Sequence, residues 1–374
     1  MKILVLASYG PSLVNFRGKL IEALVTQGHE VYTAAPDMDS ALLERVRGLG
    51  ATPHSISLRR SMLSPIHDAL YCLSVYFLIR RVRPDLLFSY TIKPNIWGSF
   101  AAAIAGVPSV AMLTGLGVAF TNTGTVTHGL GRRLTLTAAR ILYRWSTSLN
   151  RRVIFQNSDD RTDFIAAGYL RDQRKAALVD GSGIDTSHFA RAELVQEPVF
   201  LMIARLLNNK GVHEYAEAAR LLRARYPEAR FRLVGPYDPG IDGVARTEVA
   251  EWAAAGIVDY LGATDDVRTH ISRASVVVLP SYREGTPRSV LEAMAMGRAI
   301  VTTNVPGCRE TIREGVEGFL VPPRDFISLA AAMERFLIDP SLCISMGQKA
   351  YERAKDRYEV GKVNQVMLKL LLDR

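Results

Sequence analysis

The sequence predicts an α/β protein built from two doubly wound parallel sheets, and three observations carry that expectation. The chain has 374 residues, 48% of them hydrophobic and 22% charged, which is too long for one ordinary core and well suited to two. Short β-rich apolar runs alternate with stretches of helical periodicity, the pattern of βαβ units whose strands are covered on both faces. The alternation lapses around 181–197 and then restarts, so the pattern occurs twice.

In the first half the order is KILVLA at 2–7, a helical pattern over 12–27, EVYTAA at 30–35, helical patterns over 40–49 and 64–83, DLLFSY at 85–90, a helix over 95–105, and VPSVAML at 107–113. In the second it is PVFLMIAR at 198–205, a helix near 209–224, RFRLVG at 230–235, IVDYLG at 257–262, SVVVLP at 275–280 and RAIVTT at 298–303. The helices after 324 have no further strand to serve and either cap the second domain or return to the first. The expected division is therefore a Rossmann-like domain over 1–182, a second over 183–355, and a C-terminal helix over 356–374 that packs back on the first. Ligands of such sheets sit beyond the carboxyl ends of the strands, so the working residues are expected in loops that follow strands, at a cleft where the domains face each other.

Charge separates the halves. Residues 1–185 hold 21 Lys+Arg against 13 Asp+Glu, a balance of +8, and residues 186–374 hold 25 against 24, which makes up the formal +9. A basic first half calls for anionic partners. Nucleic acid is set aside, because there is no zinc-ligand spacing and no basic helix with interleaved aromatics. Three cysteines, Cys72, Cys308 and Cys343, form no framework and point to a reducing compartment. The run ILVLAS after Lys2 is too short for a signal peptide and reads as a buried strand. Pro94 to Gly131 lacks Asp, Glu, Lys and Arg, but its prolines and glycines oppose a membrane-spanning helix.

Chemistry concentrates in two loops of the second half. In SYREGTPRSVLEAMAMG (281–297), directly after a strand, Glu284 and Glu292 are eight residues apart and Pro287 suits the first position of a helix. Backbone N–H groups at Gly285, Thr286 and the first helical turn would attract a phosphate, while the carboxylates accept hydrogen bonds from sugar hydroxyls. Together they suggest a nucleotide sugar; taken singly, Glu292 could be a solvated helix residue and Glu284 a charge complementing the helix dipole. In IARLLNNKGVHEY (203–215), Arg205 and Lys210 sit in the strand-to-helix loop and can neutralise a departing diphosphate, and Gly211 lets backbone approach a ligand.

REGTPRSVLEA, with IARLLNNKG, resembles glycosyltransferase family 4, and the resemblance runs through essentially the whole chain. It implies a GT-B fold, a UDP-sugar donor held mainly by the second domain, no required metal or other cofactor, and retention of anomeric configuration. On the matching positions Arg205, Lys210 and Glu284 would be catalytic, the two cations holding the donor diphosphate and Glu284 the transferred hexose, with Glu292 on the ribose hydroxyls. SYGPS at 8–12 departs from members that carry a tandem glycine pair after the first strand. A narrower resemblance, in VNFRG (14–18), RRSMLSP (59–65), SYTIKPN (89–95) and TGLGVAF (114–120), is to the bacterial subgroup that extends glycans on undecaprenyl diphosphate, such as N-acetylgalactosaminyltransferases.

The acceptor is accordingly expected to be a polyprenyl-diphosphate-linked glycan met by Arg17, Arg60, Lys93, Thr114 and Gly115, with the protein peripheral on the cytoplasmic face of the inner membrane. Converging cations suit a lipid diphosphate, although each alone could serve solubility. The segment 132–152, basic at both ends and apolar between, could lie on an anionic membrane or face the sheet core, and 64–83 is no better determined. The loop 114–120 offers no carboxylate or imidazole as a base, which fits a retaining reaction; a residue from elsewhere, such as His128, is the alternative. Asp159–Asp160 and Asp265–Asp266 read as helix-start charges rather than metal ligands. A UDP-sugar epimerase of the same architecture, or a transferase with a soluble acceptor, remains the rival reading. Oligomeric state, sugar identity and linkage are open.

Overall fold

The computed structural model of the chain describes residues 1–59, 64–116, 130–195, 197–240 and 242–373, with the backbone alone for 130–136. It divides into two compact units, Met1–Ser182 with Gly361–Arg374, and Gly183–Val360.

Unit 1 runs β1 (Lys2–Leu6), α1 (Pro11–Asn15), α2 (Gly18–Thr26), β2 (Glu30–Ala35), α3 (Ser40–Gly48), β3 (Thr52–Ser55), α4 (Pro65–Val82), β4 (Leu86–Tyr90), α5 (Ser99–Ala105), β5 (Ser109–Leu113), α6 (Leu130–Leu149), β6 (Arg152–Phe155), α7 (Ser158–Ala166) and β7 (Ala176–Leu178). All pairs are parallel, in the order β3-β2-β1-β4-β5-β6-β7. Alternation along β1 sends Ile3 and Val5 to one face, with Leu20 and Leu24 of α2, and Leu4 and Leu6 to the other, with Tyr71, Val75 and Ile79 of α4. The order reverses between β1 and β4, and the loops beyond their carboxyl ends flank that switch point.

Unit 2 runs β8 (Val199–Ile203), α8 (Val212–Arg225), β9 (Arg230–Val234), α9 (Arg246–Ala254), β10 (Asp259–Tyr260), α10 (Arg268–Ile271), β11 (Val276–Leu279), α11 (Arg288–Ala295), β12 (Ala299–Thr303), β13 (Gly318–Val321), α12 (Phe326–Ile338) and α13 (Ser341–Arg353). Its parallel order is β10-β9-β8-β11-β12-β13, with the reversal between β8 and β11. Phe200 and Met202 pack under α8 and α12, while Leu201, Val277 and Leu279 pack under α11. The last helix, α14 (Val360–Leu372), buries Val363, Met367 and Leu371 in the core that contains Leu20 and Leu24.

Several boundaries differ from the sequence reading. The helix expected over 12–27 is two helices, because Phe16 and Arg17 leave the helical path and Arg17 turns inward. The helix expected over 95–105 opens with a wide π turn, Pro94–Gly98, before α5. Residues 356–360 stay with unit 2 instead of joining the last helix's unit: Ile184 N–H donates to Tyr358 O at 2.7 Å and Val360 N–H to Ile184 O at 3.0 Å. Pro287 is the N-cap of α11, one place before the expected first helical position.

That wide π turn carries the buried Asn95. Its Oδ1 accepts from Ser89 Oγ at 2.8 Å, and its Nδ2 donates to Met112 O at 2.8 Å and to Tyr143 OH at 3.1 Å, so one buried amide joins β4, β5 and α6. Asn95→Ala strands those groups in the interior and is expected to cost about 2–3 kcal/mol of unit 1 stability, measured by urea unfolding.

Candidate active site

In unit 2 the loops after β8 and β11 flank the switch point, and those loops hold the residues singled out from the sequence. Lys210 closes the single 3₁₀ turn Asn208–Lys210, and Gly211 follows at φ +74°. A Cβ on Gly211 would lie 2.2 Å from Pro280 O, so any other residue would push the two loops apart. They are further stitched by Tyr282 N–H donating to Asn209 O at 2.9 Å.

On this scaffold Lys210 Nζ meets Glu284 Oε1 at 2.5 Å, and Ser281 Oγ donates to the same oxygen at 2.8 Å. Both members of the pair are mostly shielded from water. Glu284 N–H donates to Pro306 O at 3.1 Å, and Gly307, at φ +81°, would bring a Cβ within 2.2 Å of Glu284 O. The loop after β12 therefore backs the main chain of Glu284. Beneath it the thiol of Cys308 is fully buried, and burial, with the Glu284 charge adding, pushes its pKa up to about 12. It is a neutral packing group and no nucleophile.

Arg205 is exposed and pairs with Asp238 Oδ2 at 3.0 Å, which holds it at the rim. Glu292 is not a solvated helix residue: it is 9% exposed, and Arg288 Nε, one turn earlier, donates to it at 2.9 Å. Burial raises its carboxyl pKa, against the opposing charge of Arg288. Gly285, Thr286 and Pro287 lead into α11, whose first-turn N–H groups stand next to Glu284 in the chain.

Sequence reasoning missed Tyr282, Glu214 and Arg324. Tyr282 OH donates to Glu214 Oε1 at 2.6 Å, and the Arg324 guanidinium lies 4.8 Å over the Tyr282 ring. Burial and the Glu214 bond push the Tyr282 hydroxyl pKa up, so it remains a donor. No spacing in the chain pairs residues 214, 282 and 324, which meet only once the strands are ordered.

In unit 1 Arg17, Lys93, Thr114 and Gly115 follow β1, β4 and β5, three adjacent strands, while Arg60 lies outside the described residues, as do 117–129 with His128. Arg17 is buried, its guanidinium 5.1 Å from the Tyr90 ring centre and Nη2 3.0 Å from Met112 Sδ. Tyr90 OH shares a 2.8 Å hydrogen bond with Ser12 Oγ, and burial pushes its pKa up to about 12. Lys93 is buried too, donating to Asp68 Oδ1 at 2.8 Å and Arg59 O at 2.6 Å. Neither cation is there for solubility, and much of the Lys93 charge is answered inside the unit by an aspartate that the sequence did not mark. Thr114 and Gly115, the latter at φ +126°, are half-buried.

Of the two acidic pairs the first is a helix start, while Asp265–Asp266 stands before Val267, the N-cap of α10, whose first turn holds no acid. Asn157 Oδ1 caps α7 by accepting from Asp160 N–H at 2.7 Å, leaving Asp159 and Asp160 in the first turn. Asp266 grips Arg268, which lowers its pKa to about 2.

Residues 18–175 match the model described as Glycosyltransferase Family 4, and residues 184–353 match the model described as Glycosyl transferases group 1. The chain is 29% identical over 385 aligned positions, covering 99% of itself and 98% of the relative, to the N,N'-diacetylbacillosaminyl-diphospho-undecaprenol alpha-1,3-N-acetylgalactosaminyltransferase of Campylobacter jejuni. It is 27% identical, over 75% of itself and 74% of the relative, to the UDP-Gal:alpha-D-GlcNAc-diphosphoundecaprenol alpha-1,3-galactosyltransferase of Escherichia coli. Among solved structures, Anabaena HepE in complex with UDP-glucose superposes with a TM-score of 0.78 at 19% identity, covering 99% of each chain. Sucrose-phosphate synthase of Thermosynechococcus elongatus gives 0.82 at 19% identity, covering 99% and 98%. At those identities the likeness establishes the two-domain GT-B fold.

Lys93 offers a direct test of how unit 1 treats its charges. Lys93→Met leaves the Asp68 carboxylate buried without its cation and is expected to cost about 3–5 kcal/mol in urea unfolding, whereas Lys93→Met with Asp68→Leu should restore most of that loss. Equal stability of the two variants would show that the pair is no structural element.

Proposed function

From a chain that belongs to the family 4 glycosyltransferases, with a Family 4 first half and a group 1 second half, we propose a retaining transferase that takes its sugar from UDP. Its acceptor in this reading is a polyprenyl-diphosphate-linked saccharide, and the sugar a hexose or N-acetylhexosamine, with N-acetylgalactosamine in α linkage the first to test. The observation that carries the proposal is the Lys210–Glu284 contact across the switch point of unit 2, with Arg205 at its rim and the start of α11 beside it.

The chemistry follows from the charges. When the bond between the sugar C1 and the β-phosphate oxygen breaks, negative charge grows on the diphosphate. Lys210 has two further N–H donors beyond the one given to Glu284, and Arg205 a planar fork, so both can stabilise that charge without a metal. Glu284, held by Lys210 and Ser281, presents acceptor oxygens to sugar hydroxyls and a negative charge to the electron-poor C1. Glu292 supplies a buried acceptor for the ribose hydroxyls. The acceptor hydroxyl oxygen attacks C1 on the face the diphosphate leaves, and its proton passes to the departing β-phosphate oxygen, so the new glycoside keeps the α configuration and UDP is released.

The names of the Campylobacter and Escherichia relatives, both acting on undecaprenol-diphosphate sugars, support the acceptor class, and the Escherichia name supports a UDP-sugar donor. Arg17, Arg60, Lys93, Thr114 and Gly115 belong to the acceptor side of the reading, which sets the protein peripherally on the cytoplasmic face of the inner membrane.

Incubation with a panel of UDP-sugars and a short-chain polyprenyl-diphosphate saccharide should give a single added hexose or N-acetylhexosamine by mass, with an α coupling at the new anomeric proton by NMR. A β coupling in the first-formed product would sink the retaining assignment. Glu284→Gln and Lys210→Ala should each lower kcat by about 100-fold or more while the fold persists, by analogy with loss of one donor to a developing oxyanion, and wild-type turnover should survive exhaustive EDTA treatment. Wild-type rates in either folded variant, or activity that only magnesium or manganese restores, would overturn the site as drawn.

A further inference from the structure

Helix α4 presents water with side chains that elsewhere would be core. Ile66, Leu70, Leu73 and Phe77 are 73%, 56%, 51% and 65% exposed. At about 100° per residue they fall within an arc of roughly 60°, a continuous stripe along three turns, and exposed Arg80 and Arg81 flank its continuation. The other side of the helix is occupied in the ordinary way, with Tyr71, Val75, Leu78 and Ile79 buried against the sheet. Neighbouring α5 adds exposed Ile104, and α6, which packs on α5, adds Ile141, Trp145 and Leu149 at helical spacing.

The charge on these three helices is one-signed. Their sequences hold six arginines and a single acid, Asp68, which is buried against Lys93. We propose that this face of unit 1, centred on the α4 stripe, docks on an anionic phospholipid bilayer, the apolar side chains entering the headgroup boundary and the exposed Arg80, Arg81 and Arg144 meeting lipid phosphates. A second copy of the chain fits poorly, because two such faces would set arginine against arginine with no exposed acid in the three helices to answer them. A polyanion in solution would use the arginines and leave the stripe in water. No described helix is long and apolar enough to cross a membrane, so the contact is a surface one. The inference deepens the membrane-linked acceptor proposed above by naming the helix that meets the bilayer.

Flotation of the full chain with vesicles tests it without donor or acceptor present, so the result stands whether or not the proposed acceptor is right; failure of the acceptor reading shows separately, as no transfer by wild-type protein. Vesicles of phosphatidylcholine with phosphatidylglycerol should carry the protein up the gradient, and phosphatidylcholine alone should not. Leu70→Glu with Phe77→Glu should weaken binding by about tenfold or more per side chain. Arg80→Ala with Arg81→Ala, which places no new charge in the stripe, should weaken it about fivefold per arginine. Ile338→Glu, an equally exposed apolar site in unit 2, should bind as wild type. Circular dichroism checks that each variant is folded. The proposal is overturned if wild-type protein does not float, if both α4 variants float as well as wild type, if Ile338→Glu loses as much as they do, or if the stripe variant instead abolishes a concentration-dependent dimer in a protein that ignores vesicles.

Discussion

The contact between Lys210 and Glu284 is the point on which unit 2 turns. It joins loops that leave β8 and β11, neighbours in space but some seventy residues apart in the chain, and it joins them where the sheet reverses its winding. Its supports are backbone features. Gly211 sits where any Cβ would strike Pro280 O, and Gly307 where any Cβ would strike Glu284 O, so three successive loops are held in mutual contact. A cation and a carboxylate kept this close, partly out of water, are oriented before any ligand arrives, which in the proposed reaction would remove reorganisation from the step in which charge develops. Tyr282, Glu214 and Arg324 extend the same arrangement outward by a hydrogen bond and a stacked guanidinium.

Unit 1 handles charge differently. Arg17 and Lys93 are drawn inside, one onto Tyr90 and Met112, the other onto Asp68, while Arg80 and Arg81 of α4 and Arg144 of α6 remain at the surface on helices that also expose apolar side chains. The surplus of basic residues in the first half of the sequence therefore divides into two populations. Interior cations organise the strand ends around β1, β4 and β5, and surface cations frame a greasy helical face. A count of charge cannot separate them, because it carries no information about which side of a helix faces the sheet.

Much of the fold was legible because its signals are local. Runs such as ILVL, FLMI and VVVL are continuous and apolar since both faces of a parallel sheet are covered, and the helices between them follow. The strands that escaped notice, TPHS, RVIF, AAL and GFLV, are short and lie toward sheet edges, where β3 and β7 need fewer apolar residues to be accommodated. Glu284, Lys210 and Arg205 could be singled out as candidates because each follows a strand, the first two with a glycine directly after them. Asp68 and Arg324 could not, since nothing in their own neighbourhoods distinguishes them from ordinary surface residues, and Tyr282 and Glu214, although inside the two marked segments, could not be paired with each other or with Arg324 by spacing.

What the sequence determined by itself is thus the class of fold, a division into two units near residue 182, and the placing of Arg205, Lys210 and Glu284 in loops that follow strands, all of which follow from periodicity and from residue types adjacent in the chain. What only the tertiary structure decided is partnership and exposure: that Lys210 reaches Glu284, that Lys93 is tied to Asp68, that Glu292 is buried, and that Ile66, Leu70, Leu73 and Phe77 face outward. The physical reason is the same in each case. Strand order brings together residues separated by tens of positions, and whether a helix turns a given side chain to the sheet or to water depends on the surface it packs against.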